Sequence, residues 1–223
     1  MSGNIPTHLG FVIDGNRRWA KERGLTSLEG HKKGISVVET IAEECPKRGI
    51  KYTSFYVFST ENWDRSAEEI AYLMKLITIN VKRLVKRCLK NNTKLVILGS
   101  HNRLSKEVIA ATKTAEQDTK ACTGCTICLC FNYGGRQEII DAANKIKGKV
   151  TADNFAAALY HPEIPDVDMI VRTSGEQRLS GFMLWRSAYS EFLSLKKHWP
   201  DFTPSDLTTV LAEYARRNRR FGK

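Results

Sequence analysis

The sequence predicts a single α/β domain with a mostly parallel central sheet of about six strands and helices on both faces. Three observations carry this. Short runs rich in β-branched and aromatic residues recur along the chain, longer stretches with helical spacing of apolar residues separate them, and each short run stops at a polar segment. Strand, helix, strand in regular succession requires crossover connections, which lay helices against a parallel sheet.

The first strand is expected over His8–Asp14, in the run "HLGFVID", succeeded by a helix over Gly15–Arg23 that Gly24 ends. A second helix is expected over Gly30–Lys47 and a second strand over Tyr52–Ser59. The long apolar-periodic stretch Ala67–Lys90 reads as a helix, Lys94–Gly99 as the third strand and Ser105–Thr119 as the next helix. Thr126–Asn132 gives the fourth strand and Arg136–Lys147 another helix, with "KGKVTADNF" read as a connection. Asp168–Thr173 is the fifth strand, a sixth lies around Glu191–Leu195, and a final helix begins at Pro204 or Ser205. No repeat or low-complexity linker divides the chain, so residues 1–223 read as one domain.

The 223 residues are 42% hydrophobic, enough for one sizeable core. Lys and Arg number 35 against 24 Asp and Glu, a formal charge of 35 − 24 = +11. Such an excess favours an anionic partner: nucleic acid, a phosphorylated metabolite or an acidic membrane surface. No basic-then-apolar leader is visible, and no apolar run approaches the roughly 18 residues that span a bilayer. A cytoplasmic location is expected. Four of the six cysteines, Cys122, Cys125, Cys128 and Cys130, crowd into "CTGCTICLC". Their spacing invites a metal or redox reading, but Cys128 and Cys130 share one strand face and read best as small buried apolar residues.

Ligands of open α/β sheets bind beyond the carboxyl ends of the strands. Each of the first five strands here runs into a polar segment that carries an arginine: Asp14-Gly15-Asn16-Arg17-Arg18, Ser59 to Arg65, Gly99 to Arg103, Asn132 to Arg136, and Arg172 to Ser180. Glycine lets backbone N–H groups approach an anion, a helix N-terminus adds positive potential, and arginine forks match phosphate oxygens. The clusters after strands one and five suggest two phosphate groups or two phosphorylated ligands. Asp14, an anion among cations, fits either as a helix N-cap or as the carboxylate that ties Mg²⁺ to phosphate oxygens. No Walker or dinucleotide glycine fingerprint is present.

The stretches "HLGFVIDGNRRWAKERG…EGHKKG", "FYVFSTENWDRSAEEI", "FNYGGRQEI", "VRTSGEQRLSGFMLW" and "AYSEF", in that order, resemble the cis-prenyltransferases, the family of undecaprenyl diphosphate synthase. The match runs from about His8 to Gly222. It implies elongation of an allylic diphosphate, such as farnesyl diphosphate, by isopentenyl diphosphate to a Z-polyprenyl diphosphate, a precursor of glycosyl-carrier lipids. It also implies Asp14 as the Mg²⁺ ligand that assists departure of the allylic diphosphate, with Asn16 as a second catalytic residue. Gly15, Asn16, Arg17, Arg18, Trp19 and His31 would cradle that diphosphate. Arg172, Arg178 and Ser180 would hold the isopentenyl diphosphate. Ser59 would also bind substrate, Glu61, Asn62, Trp63 and Arg65 match a mobile, substrate-binding segment that closes over both substrates, and Glu191 resembles a glutamate that reaches the metal of a neighbouring subunit. Arg220-Phe221-Gly222 matches a tail that crosses a homodimer to the other subunit's isopentenyl diphosphate.

Two features keep a bland reading beside the functional one. The broad apolar face of Ala67–Lys90, from Ile70 to Ile79, suits a buried helix or the wall of a hydrocarbon channel. The stripe Lys82, Arg83, Lys86, Arg87 and Lys90 suits a solvated face or a peripheral contact with the inner face of an acidic membrane. The chain also departs from common family residues at Ser27 (arginine in many bacterial members), Gly181 (asparagine) and Arg186 (glutamine), which bears on substrate preference and chain length. The alternatives are a short-chain Z-prenyl diphosphate synthase or a non-catalytic partner subunit of the same fold. Nucleic acid is not an expected partner, because the arginines sit at strand ends and no recognition motif accompanies them.

Overall fold

The computed structural model describes residues 5–217. Among them, six strands form one parallel sheet in the order β3-β4-β2-β1-β5-β6. In chain order the elements are β1 (His8–Val12), α1 (Asn16–Glu22), α2 (Ser27–Lys47), β2 (Tyr52–Ser59), α3 (Ala67–Lys90), β3 (Lys94–Leu98), α4 (Lys106–Thr119) and β4 (Thr126–Tyr133). The chain continues through α5 (Gly135–Lys145), α6 (Ala152–Ala158), β5 (Met169–Arg172), β6 (Glu191–Ser194) and α7 (Pro204–Arg216). Single 3-10 turns cover Thr60–Asp64, Trp185–Ser187 and Trp199–Asp201.

Strand alternation sorts the core into two layers. Leu9, Phe11, Phe55, Leu95, Ile127, Leu129 and Val171 face α2, α3 and α7, and Trp199 completes that layer. Val12, Val96, Cys128, Cys130 and Ile170 face the other way, against Ile164, Val167, Phe182 and Met183. The central strands are apolar on both sides because both sides are covered, as a parallel sheet requires. Trp199 packs with Phe11, Phe55 and Phe202, and its indole N–H donates to Gly34 O at 2.9 Å.

Several boundaries differ from expectation for identifiable reasons. β1 ends at Val12, not Asp14, because the Asp14 N–H turns back to Val12 O at 2.9 Å. α2 begins one turn early, at Ser27, where Thr26 and Glu29 exchange bonds as a capping box. The stretch read as a connection contains α6, started by the same device at Thr151 and Asn154. The outer edge of β3 is occupied by side chains of α4: Leu95 N–H donates to Thr119 Oγ1 at 3.0 Å and Ile97 N–H to Glu116 Oε1 at 2.8 Å.

Candidate functional site

Where β1 stops, the backbone of Asp14 is pinned from two sides. Its carbonyl accepts from Trp199 N–H at 3.0 Å and from the Thr173 hydroxyl at 2.7 Å. The side chain is thereby aimed at the rim, where Oδ1 accepts the Gly15 N–H at 2.7 Å. Oδ2 meets the guanidinium of Arg172 at 3.0 Å and that of Arg18 at 3.2 Å. Burial alone would raise this carboxyl's pKa. The hydrogen bond and charge of Arg172, then Arg18 and the Gly15 N–H, outweigh it and hold the group below the usual aspartate value.

The capping reading of Asp14 is overturned: the N-cap of α1 is Gly15, with no side-chain cap bond. Gly15 sits at φ 103, a left-handed conformation that glycine adopts without penalty. A Cβ there would also overlap Ser174 Oγ and His198 Nδ1. Those two atoms share a short hydrogen bond, and His198 Nε2 lies 2.9 Å from Glu22 Oε1. Residues 22, 174 and 198 thus form one Ser–His–Glu chain beneath the Asp14–Gly15 turn, which nothing in the sequence pattern announces. Its geometry resembles a hydrolase triad, yet Ser174 is buried against Gly15, so the chain braces the turn and does not present a nucleophile.

Three concavities meet beside this turn. One polar basin is walled by Asp14, Gly15, Asn16, Arg17, Arg18, Ser27, His31 and Arg65. A second is walled by Asp14, Tyr56, Ser59, Glu61, Asn62, Arg65, Arg172 and Ser180. An apolar cavity opens from both at Ile13 and Arg65 and continues between α2, α3 and the sheet, past Ile35, Val38, Leu73, Leu76, Ile77 and Leu84. Of the broad face of α3, Leu73, Leu76 and Ile77 therefore line a cavity, while Ile79 is 57% exposed.

In the second basin Arg172 donates to Ser180 Oγ at 2.8 Å and to the carbonyl of Arg178, and its buried Nε has no partner. In the first, Glu69 gathers Arg65 at 2.9 Å, His31 at 3.4 Å and Arg17 at 4.0 Å. Burial and then the charge of Arg65 depress the His31 pKa, with Glu69 opposing. The Asn16 Oδ1 atom is buried and unpartnered beside Gly34 of α2, where a Cβ would strike it.

Not every expected residue converges here. Trp19 donates to Asp201 Oδ1 at 2.7 Å beneath Arg23, and Trp63 donates to Asn132 Oδ1 at 2.7 Å beneath Arg103. Neither lines the basins. Arg178 reaches Glu176 at 2.6 Å, and Glu176 also binds Arg18 at 3.2 Å, so one glutamate links the two arginine clusters. Glu191 starts β6 opposite Met169, at the other end of the strands from Asp14, and binds Arg217 at 2.8 Å. Arg220-Phe221-Gly222 lies outside the described residues. Of the basic stripe, Arg83 and Arg87 pair with Glu39. Arg186 forms a buried pair with Glu138 at 2.7 Å.

Among the described residues no group of three or more His, Cys, Asp or Glu side chains could hold a metal. The cysteine thiols are free, and burial pushes Cys45, Cys88 and Cys128 up to about 12. Asp14, the carboxylate that lines both basins, instead matches what Mg²⁺ asks for: one or two carboxylates, waters, and the phosphates of a substrate.

A family model described as putative undecaprenyl diphosphate synthase matches residues 12–222. An isoprenyl transferase of Thermotoga maritima is 42% identical, covering 98% of this chain and 97% of its own length. The decaprenyl diphosphate synthase of Mycobacterium tuberculosis is 45% identical over 98% of this chain and 77% of its own. The crystal structure of lavandulyl diphosphate synthase from Lavandula x intermedia, in complex with dimethylallyl diphosphate, superposes with a TM-score of 0.93 at 32% identity, covering 98% of this chain and 99% of that one. With the strand-end aspartate and arginines in place, these matches show that the chain belongs to the undecaprenyl diphosphate synthase family, the cis-prenyltransferases.

Proposed function

We propose that this chain, a cis-prenyl chain-elongating enzyme, seats its allylic diphosphate in the Asp14–Arg18 basin and its isopentenyl diphosphate in the Arg172–Ser180 basin. The single observation that carries this is the meeting of two cation-lined basins and one apolar cavity at Ile13 and Arg65, with Asp14 shared by the two basins. Diphosphates suit the basins, and a growing hydrocarbon suits the cavity. The uncapped first turn of α1 offers backbone N–H groups to the allylic diphosphate, and Arg17, Arg18 and His31 surround it.

Asp14, with help from the phosphates, would hold Mg²⁺, which supplies charge stabilisation to the departing diphosphate. Arg18 and Arg172 now neutralise Asp14 and would turn to phosphate oxygens when substrate arrives. As the allylic C–O bond breaks, its electron pair leaves with the diphosphate, and guanidinium groups already in place stabilise that charge. The isopentenyl double bond attacks the allylic carbon, a C–C bond forms, and a carbon beside the new cationic centre gives its proton to a diphosphate oxygen as a double bond is regenerated. Arg65, at the junction, faces both substrates. Asn16 lines both the first basin and the apolar cavity, with its unpaired amide oxygen buried against Gly34.

Radiolabelled isopentenyl diphosphate, Mg²⁺ and a set of allylic primers test the reading by product length. Arg18→Ala is expected to raise KM for the primer several-fold, and Arg178→Ala to raise KM for isopentenyl diphosphate. Equal effects of both variants on both KM values would argue against separate seats. A non-catalytic role predicts no incorporation at all.

A further inference from the structure

The apolar cavity ends on a charge. Glu39 lies eight residues beyond His31 on α2, about 12 Å along the helix at a rise of about 1.5 Å per residue. It lines the cavity and is 3% exposed. Its Oε2 meets Arg83 at 3.2 Å and Arg87 at 3.4 Å, both from α3. Its Oε1 is buried with no hydrogen-bond partner. Asn80 and Thr112 line the same cavity, but they donate to Leu76 O at 2.7 Å and to Ile109 O at 3.0 Å. Neither supplies Glu39. Clamping α2 to α3 needs only Oε2, so the clamp leaves Oε1 unexplained.

We propose that Glu39, held by Arg83 and Arg87, is a polar stop that sets the length of hydrocarbon this cavity accepts; the inference rests on the cavity receiving the prenyl chain. Near the mouth, each added isoprenyl unit removes apolar surface from water against Ile35, Val38 and Leu76, which favours elongation. At Glu39 the sign reverses. Methylene groups pressed against an ionised oxygen exclude the water that could solvate it and offer no donor in return. Further elongation is then disfavoured, and the product leaves.

The test compares Glu39→Leu and Glu39→Gln, both close to glutamate in size, with Glu39→Ala. Each purified protein is given labelled isopentenyl diphosphate, Mg²⁺ and an allylic primer, and the dephosphorylated products are separated by chain length. Glu39→Leu is expected to move the main product up by at least one five-carbon unit. Glu39→Gln is expected to raise the share of longer products at least threefold, and it decides the matter if the leucine variant fails to fold by circular dichroism. An unchanged distribution in folded Glu39→Gln and Glu39→Leu overturns the proposal, as does lengthening confined to Glu39→Ala, which would make bulk the determinant. A wild-type protein that makes no product overturns the reading of the cavity first, and the proposal with it.

Discussion

Asp14 gathers onto one carboxylate the attention of two guanidiniums and a backbone N–H. Removing it frees Arg18 to water on the rim and leaves the buried Arg172 its bonds to Ser180 Oγ and the Arg178 carbonyl, while the backbone contacts that shape the turn survive. Asp14→Ala is therefore expected to keep its circular dichroism spectrum and lose turnover by at least about a hundredfold; near-normal turnover in steady-state assays would dismiss the assignment. His198 acts at one remove, through Ser174 and Gly15. His198→Ala is expected to lower kcat several-fold with little change in KM, because the misplaced turn matters most when charge develops. Partial recovery in His198→Gln, which can still bond Ser174, separates positioning from lost stability. Asp14, Arg18 and Arg172 are legible in the sequence because each sits within a few residues of a strand end. The Ser–His–Glu chain is not, because its members are scattered over residues 22, 174 and 198 and only folding joins them. Trp19 and Trp63 mislead for the opposite reason: they adjoin site residues in sequence but spend their indole N–H groups on Asp201 and Asn132.

Periodicity yields the elements with the right types and order, and it fails where the signal is a cap. α6 is too short to show helical spacing, and the Thr151–Asn154 exchange that starts it looks like loop composition in one dimension. α2 reaches back to Ser27 for the same reason. β1 carries a titration inside the sheet. His8 is fully buried, with Nδ1 2.8 Å from Pro165 O and Nε2 2.7 Å from Ser54 Oγ. Burial pushes its pKa down to about 4, against the raising effects of Pro165 and Asp168. Between the ordinary value and about 4 the unfolded chain takes up a proton that the folded chain refuses. Stability is thus expected to fall as the pH drops through that window, by about 3 kcal/mol in all from this group. Urea unfolding at a series of pH values checks it: Glu and Asp titrations remain in His8→Gln, and the difference in slope isolates the histidine. Equal slopes would show that His8 protonates as readily in the folded sheet as outside it.

At the level of the whole molecule, the placement of Glu191 is informative. It lies away from Asp14 on the edge strand β6, held by Arg217 where α7 ends. Glu191 and the end of α7 thus lie together at one margin of the sheet, where the proposed two-fold homodimer, its sites completed in trans, would place the partner. Deleting Arg220 to Lys223 is expected to depress activity while the dimer persists. Mixing that truncation with full-length Asp14→Ala is expected to restore part of the activity, since one site of a mixed dimer would have both an intact Asp14 and an intact tail. No recovery, with mixed dimers verified by mass spectrometry, would sink the trans arrangement. Both margins of the sheet are met by side chains of the same chain: Thr119 and Glu116 occupy the N–H groups of Leu95 and Ile97 on β3, and Arg217 donates to the Phe192 carbonyl on β6. Growth by strand addition needs open backbone groups along an edge, and here each edge has given some of them to its own chain. The threonine, the glutamate and the arginine that finish these edges therefore also work against a sheet of this width polymerising into fibres.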